Sequence, residues 1–297
     1  MKIAHILDFL NKQSIEYDFR GDVDTCIEGY STLERYKAGS FTWIKSEDYI
    51  PQNMDASCIE LAFSRDCIGA VRNNIVVSNP KEAFFATIEN FYGEEQDNSS
   101  YIGHNTYISP DVKIGENVRI GHNCSLDGKI IVGDNTVIGN NVSITGKVEI
   151  GYGCEIQSGT IIGTESVTYV EDADHIKTIF KQYGGVKIGN NVRIQALSRV
   201  ARGSIDDTVI MDRAIIGGGS EISHNCYIGE NATLLPYGIL CGSVTIGDDS
   251  YISGAHIKNH VKIGRGAFVG FGSVVVKDVA DYEEVWGFPA RRMQIKK

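Results

Sequence analysis

The sequence has no apolar run approaching the roughly 18 residues that a membrane-crossing helix needs. It has no C-x-x-C pair and no excess of positive charge. Each absence closes off a class. A net charge of -10 argues against a nucleic-acid binder, which would normally show a basic face. The opening MKIAHILDFLNKQ lacks the long apolar core and small-residue cleavage site of a secretory signal. It reads as a short amphipathic helix over 2–12, with Ile3, Ile6, Leu7 and Leu10 on one face. The cysteines number seven, an odd count with no paired spacing, and are expected to be reduced thiols in a cytoplasmic protein.

What the sequence does have is a repeat. From Ile102 an aliphatic residue recurs every six residues through Ile108, Ile114, Ile120, Leu126 and onward to Ile162. The series pauses and resumes at Ile188, Ile194 and Val200. It slips again, and then runs from Ile210 to Ile252. A one-residue slip leads to Ile257, Ile263, Val269 and Val275. A helix requires a period of 3.6 and a strand a period of 2, so neither explains this spacing. Four residues after each aliphatic position the side chain is usually small, as at Thr106, Val118, Cys124, Thr136, Cys154 and Thr160. Three residues after it, Asn, Asp or Gly is frequent, as at Asn105, Asn117, Asn135, Asn191, Gly219, Asn225 and Asn231. Those types tolerate left-handed turn dihedrals. Each hexad is therefore a short strand plus a corner, and three hexads close a triangular coil of 18 residues. Cys124, Cys154 and Cys226 fall in the small inward column and read as packing residues.

The fold class expected is mainly β: a parallel β-helix of hexapeptide repeats behind a small α/β N-terminal domain. Residues 1–98 lack the repeat and carry β-like runs (SFTWIK, NNIVVS) and a helix from Pro80 to Tyr92. Residues 99–276 form the prism, interrupted at 164–187, and a long loop in a regular solenoid is usually functional. Residues 277–297 form a tail with the aromatic and basic run VWGFPARRM.

Histidine recurs at one hexad position, in His104-Asn105, His122-Asn123 and His224-Asn225, and spacing alone does not choose among them. Asp206 lies one coil before His224, roughly 5 Å away by strand spacing. Asp206 and Asp207 read equally as turn residues. Gly242 lies one coil after His224, and a plain corner glycine explains it as well. His260 is two coils beyond, roughly 10 Å from His224 and out of hydrogen-bonding reach. Trp43 and Tyr49 serve as well for core, and Asn79 could simply cap the Pro80 helix.

The segments IQSGTIIG, GGVKIGNNVRI, RGSIDDTVI and ISHNCYIG, with GSFTWIKSEDY and VVSNPKEAFFATIENFY before them, resemble the N-acyltransferases that act on UDP-3-O-acylglucosamine in lipid A synthesis. The resemblance covers nearly the whole chain in the same order. It implies a left-handed prism, a homotrimer, and His224 as the base for acyl transfer to an amine. It also implies an Asp206 carboxylate orienting the imidazole and a Gly242 N–H for the oxyanion. Trp43 and Tyr49 would sandwich a pyrimidine with Asn79 nearby, and His260 would contact donor or phosphate. In that family the chain continues past the prism into helices that help bind acyl carrier protein. Here 22 residues follow Val275 and contain the run V-W-G-F-P-A-R-R. That run is similar to the tail of hexapeptide enzymes that use coenzyme A, with Gly272, Pro289, Ala290, Arg291 and Arg292 placed for CoA. The expectation is therefore an N-acyltransferase moving an acyl group from acyl-CoA, a co-substrate, to a dTDP- or UDP-linked amino sugar, like the enzyme of anthrose biosynthesis. No tightly bound cofactor is expected. The alternatives are the acyl-carrier-protein-dependent lipid A enzyme itself, a catalytically dead scaffold, and a metalloenzyme like the γ-carbonic anhydrases. The last rests on a loose echo in His224, His256 and His260.

Overall fold

The computed structural model describes residues 1–93 and 99–287. The chain divides into two compact units, 1–97 and 98–297.

In the first unit, α1 (Ile3–Lys12) buries Ile3, Ile6, Phe9 and Leu10 on one face. Five strands follow: β1 (Tyr17–Arg20), β2 (Gly29–Tyr30), β3 (Ser40–Ile44), β4 (Leu61–Ser64) and β5 (Asn74–Val77). They form one sheet in the order β1-β5-β4-β3-β2, with β1 antiparallel to β5 and the other pairs parallel. The helix α2 (Pro80–Tyr92) starts with Pro inside its first turn and Asn79 as N-cap, the arrangement that a helix N-terminus favours. Phe84 packs edge-on against Phe41 and Phe63, which are tilted to each other, at the centre of this unit's core.

The second unit is a left-handed parallel β-helix whose strands stack into three parallel sheets of nine, eight and ten strands. Pairing is in register with the hexad, Leu126 against Ile144, Val132 against Ile150 and Ile138 against Ile156. The aliphatic column fills the interior, and Ile120, Leu126, Ile144, Ile156 and Ile216 are fully buried. Burying each such side chain contributes about 1.5–3 kcal/mol. Eight corner asparagines, from Asn105 to Asn231, have φ between 54° and 59°. Their amides pair from coil to coil, as Asn117 to Asn135 at 3.2 Å. The inward thiols donate to carbonyls of the next coil, Cys124 Sγ to Gly139 O at 3.0 Å and Cys226 Sγ to Cys241 O at 3.2 Å. Burial pushes the Cys226 thiol up to about 12, so it is an inert packing group.

Four irregularities break the 18-residue step, the last being a 16-residue step from Val269 to Val285. Ile150 pairs with Ile188 across the inserted loop, a step of 38 residues. Ile188 pairs with Ile210 and Val200 with Ile222, steps of 22 that leave extra chain at 203–206. Leu240 pairs with Ile257, a step of 17. The inserted loop contains an antiparallel hairpin, Tyr169–Glu171 with Lys177–Ile179. Among the described residues no helix is long and apolar enough to cross a membrane.

Candidate active site

The three His-Asn corners share a hexad position but not a vertex of the prism. His104 and His122 precede strands of the nine-stranded sheet, whereas His224 precedes a strand of the eight-stranded one. His122 Nδ1 accepts the His104 N–H at 2.9 Å and the two rings stack, which makes them corner-capping groups. His224 has different surroundings. The surplus residues of 203–206 fold into a tight loop beside it. A β-carbon on Gly203 would lie 1.6 Å from the Asp206 carbonyl oxygen, so only glycine allows the turn.

Asn225 bridges that loop to the corner. Its Oδ1 accepts the Ser204 N–H at 3.0 Å, and its Nδ2 donates to the Asp206 carbonyl at 3.0 Å. Both partners are backbone groups whose donor and acceptor identities are fixed, so the amide can sit only one way round. His224 Nδ1 lies 3.0 Å from that same Oδ1. An oxygen that can only accept requires a donor, so Nδ1 carries the hydrogen and Nε2 keeps its lone pair. Ser204 Oγ is a second neighbour of Nδ1, at 3.4 Å. On its other side the ring lies against Gly242. A β-carbon there would sit 2.5 Å from Nε2 and 2.6 Å from Cε1, so the absence of a side chain makes room for the imidazole. Among the described residues the Gly242 N–H has no protein acceptor.

The part expected of the Asp206 carboxylate falls to the Asn225 amide. Asp206 is exposed and only its main-chain carbonyl bonds to the site. Its neighbour Asp207 is the engaged acid. It accepts the Gly185 N–H at 2.7 Å and pairs with Lys147 and Lys187, each at 3.3 Å. Partial burial would raise its carboxyl, but the Gly185 N–H and the two ammonium groups outweigh that and hold it below its ordinary value of 3.8.

The 17-residue step moves His260 out of line with His224. Ser243 N–H donates to His224 O at 2.9 Å, and His260 N–H donates to Gly242 O at 3.1 Å. His260 thus stacks in the left-handed column of Asn225 and Ser243, with φ of 63°. Asn259 occupies the column of His224 and Gly242. The slip itself was visible in the hexad series, and counting through it would have found Asn259. Among the described residues no group of three or more His, Cys, Asp or Glu side chains could hold a metal ion. His224, His256 and His260 therefore do not form one.

In the N-terminal unit Trp43 lies in β3, partly packed against the core. Tyr49 is 58% exposed, with the Lys45 ammonium 5.3 Å from its ring centroid. Among the described residues no contact joins the two rings. Asn79 caps α2, its amide bonded to the Glu82 carboxylate at 2.8 Å. Gly272 is a corner glycine with φ of 67° and open space where a side chain would stand. Pro289, Ala290, Arg291 and Arg292 lie outside the described residues.

The family model described as bacterial transferase hexapeptide (six repeats) matches residues 98–128. The chain is 35% identical over 139 residues to a probable UDP-3-O-acylglucosamine N-acyltransferase 2, mitochondrial, of Arabidopsis thaliana. That match spans 46% of this chain and 45% of the plant protein, less than half its length. It is 30% identical over 258 residues to the UDP-3-O-acylglucosamine N-acyltransferase of Cupriavidus pinatubonensis, covering 76% of this chain and 71% of that protein. Among solved structures it superposes on the UDP-N-acetylglucosamine acyltransferase of Francisella novicida with a TM-score of 0.56 at 25% identity, over 63% of this chain and 67% of that one. Identity sustained over most of the Cupriavidus protein, on a prism of the same kind, means that the chain belongs to the hexapeptide-repeat transferase family of the UDP-3-O-acylglucosamine N-acyltransferases.

Proposed function

We propose that this protein transfers an acyl group from a phosphopantetheine thioester to the amine of a UDP-linked amino sugar, with His224 as general base. The observation that carries the reading is the His224 tautomer. Asn225, itself locked by two backbone partners, makes Nδ1 the donor and leaves the Nε2 lone pair beside Gly242. The neutral amine attacks the thioester carbonyl and an N–C bond forms. Nε2 takes the surplus amine proton while the Gly242 N–H donates to the oxyanion. As the C–S bond breaks, the imidazolium returns the proton to the departing thiolate.

Family membership weighs toward a carrier-protein thioester, whereas the tail motif with Gly272, Pro289, Ala290, Arg291 and Arg292 suggests acyl-CoA. The two donors share the reacting thioester. Trp43 and Tyr49 are our candidates for holding the uracil, and His260 for a phosphate. The compartment we assign is the cytoplasm. The assembly is a cyclic homotrimer, which is checked by light scattering. A mass near that of one 32.5 kDa chain at micromolar concentration would remove it.

The deciding test is His224→Asn, assayed with UDP amino sugars against both acyl-CoA and acyl carrier protein. Loss of the base should lower kcat by about 10²–10⁴-fold with a modest change in KM. A folded variant that binds both substrates and keeps more than about a tenth of the rate rules out the base assignment.

A further inference from the structure

The inserted loop carries one feature that neither the hexad pattern nor the acyl-transfer reading uses. The loop is solvent-facing, with Val167, Ile179 and Tyr183 each more than 70% exposed. Within this exposed segment Gln182 is only 3% exposed. A buried amide must be satisfied, and its partners show what it holds. Gln182 Oε1 accepts the Ser166 N–H at 2.8 Å, which fixes the orientation of the amide. Its Nε2 donates toward Ser166 Oγ at 3.1 Å, Thr168 Oγ1 at 2.8 Å and Ser204 Oγ at 3.3 Å. The outgoing and returning arms of the loop are thus tied together and to Ser204. The neighbouring backbone repeats the tie. Tyr183 N–H donates to Ser204 O at 2.8 Å and Gly184 N–H to Gly203 O at 3.1 Å.

Ser204 faces the loop with its carbonyl and one lone pair of its hydroxyl. It faces the candidate site with its N–H, on Asn225 Oδ1, and with Oγ, 3.4 Å from His224 Nδ1. We propose that Gln182 is a positioning residue for His224, acting through Ser204, so that seating of the inserted loop and orientation of the imidazole are one event. The proposal rests on the reading of His224 as the base. When Nε2 takes a proton the charge is shared with Nδ1–H, and two acceptors, Asn225 Oδ1 and Ser204 Oγ, then face it. The Gln182 N–H keeps the Ser204 hydroxyl turned so that an oxygen lone pair faces the ring. Without that donor the hydroxyl is free to rotate, and the 203–206 loop is held on that side by backbone bonds only, among them those from Tyr183 and Gly184.

The test reads the imidazole directly. Histidine-selective 15N labelling gives seven residues, with His224 assigned from the spectrum of His224→Asn. In the wild type the ring nitrogens should report hydrogen on Nδ1. Gln182→Leu and Ser204→Ala should each move the His224 shifts toward mixed tautomers. Each should lower kcat by about tenfold, the size that one charge-assisted hydrogen bond carries, with KM little changed. The double variant should be no worse than the worse single one, because both remove the same connection. Gln182→Met keeps the length of the side chain and adds no buried charge, but loses the donor to Ser204. It should remain folded, as read by its melting transition, while reproducing the His224 shift change, and it carries the test should Gln182→Leu fail to fold. Unchanged His224 nitrogen shifts in folded Gln182→Met, or additive losses in the double variant, overturn the proposal. The spectra need no substrate. A protein inactive toward every acyl donor but showing the coupled shifts would sink the acyl-transfer reading and leave the coupling standing.

Discussion

Two corners of the same prism use the same backbone differently. At the corner leading into the ten-stranded sheet, the Glu116 N–H is capped by Asp134 Oδ1 at 2.8 Å. The Glu230 N–H is likewise capped by Asp248 Oδ1 at 2.9 Å. A side chain one coil on satisfies the turn. At the His224 corner the residue one coil on is Gly242, which has no side chain to offer. What the glycine leaves is space for an imidazole and, among the described residues, a His224 N–H without a protein acceptor; the Gly242 N–H is uncapped in the same way, because Asn259, the next residue of the column, does not accept from it. A solenoid offers a donor at every corner. The comparison teaches that a reactive corner is made by withholding the regular cap, with no new structural element added.

The largest expected effect comes from restoring a side chain there. Gly242→Ala puts a methyl group 2.5 Å from Nε2, so the ring must leave its place. The rate should fall by about 10²–10⁴-fold, the scale of losing a positioned general base, while the melting temperature stays near wild type. A variant within a few-fold of the wild-type kcat would erase the distinction between the two corners.

A smaller effect is expected from Asn225→Gly, which keeps the left-handed turn but removes the amide that sets the tautomer. We expect kcat to fall about tenfold, as for one hydrogen bond to a charged group. Asn135→Gly, the same change at a capped corner, should leave kcat unaltered. Equal kinetic losses at the two sites would mean that the asparagine serves only the turn.

The smallest effect separates the adjacent acids. Asp206→Asn should leave both rate and stability close to wild type, because only its carbonyl is engaged. Asp207→Asn should act on stability. The Asp207 carboxyl is held below 3.8 in the folded protein, so its contribution is present above that value and is lost as pH falls through the depressed one. Melting curves of the wild type should therefore drop more steeply than those of Asp207→Asn in that acid range, and should lie higher at neutral pH. Parallel curves would show that Lys147 and Lys187 contribute nothing through this acid. The pairs are partly exposed, so the difference should be modest.

The prism was legible because its period is enforced by geometry. Every sixth residue points inward, and a polar residue at Ile144 or Ile216 would be buried without a partner. The corner asparagines were legible for the same kind of reason, since few residue types tolerate that dihedral. Period arithmetic also brought Ile210 against Ile228, and so placed Asp206 near His224. It could not foresee that the carboxylate would turn outward. That depends on the four surplus residues of the 22-residue step, whose loop obeys no repeat. Asn225, Ser204 and Gln182 were missed for one reason. Their roles come from contacts made by the two insertions, with each other through Gln182 and Ser204 and with the regular corner through Asn225, and neither insertion carries a spacing that points to its partners.

The 38-residue step has a consequence for how the chain can fold. Nearly all pairing in the prism closes a loop of about one coil, so an all-parallel β protein here has contacts as local in sequence as those of many helical ones. Closing the Ile150–Ile188 pair spans twice that length, and doubling a loop adds only about 0.6 kcal/mol of closure entropy. Coils on either side of the hairpin can therefore form first and meet across it with little delay. An insertion of this size is thermodynamically inexpensive in a solenoid, which leaves its sequence free to be set by whatever the loop does at its tip.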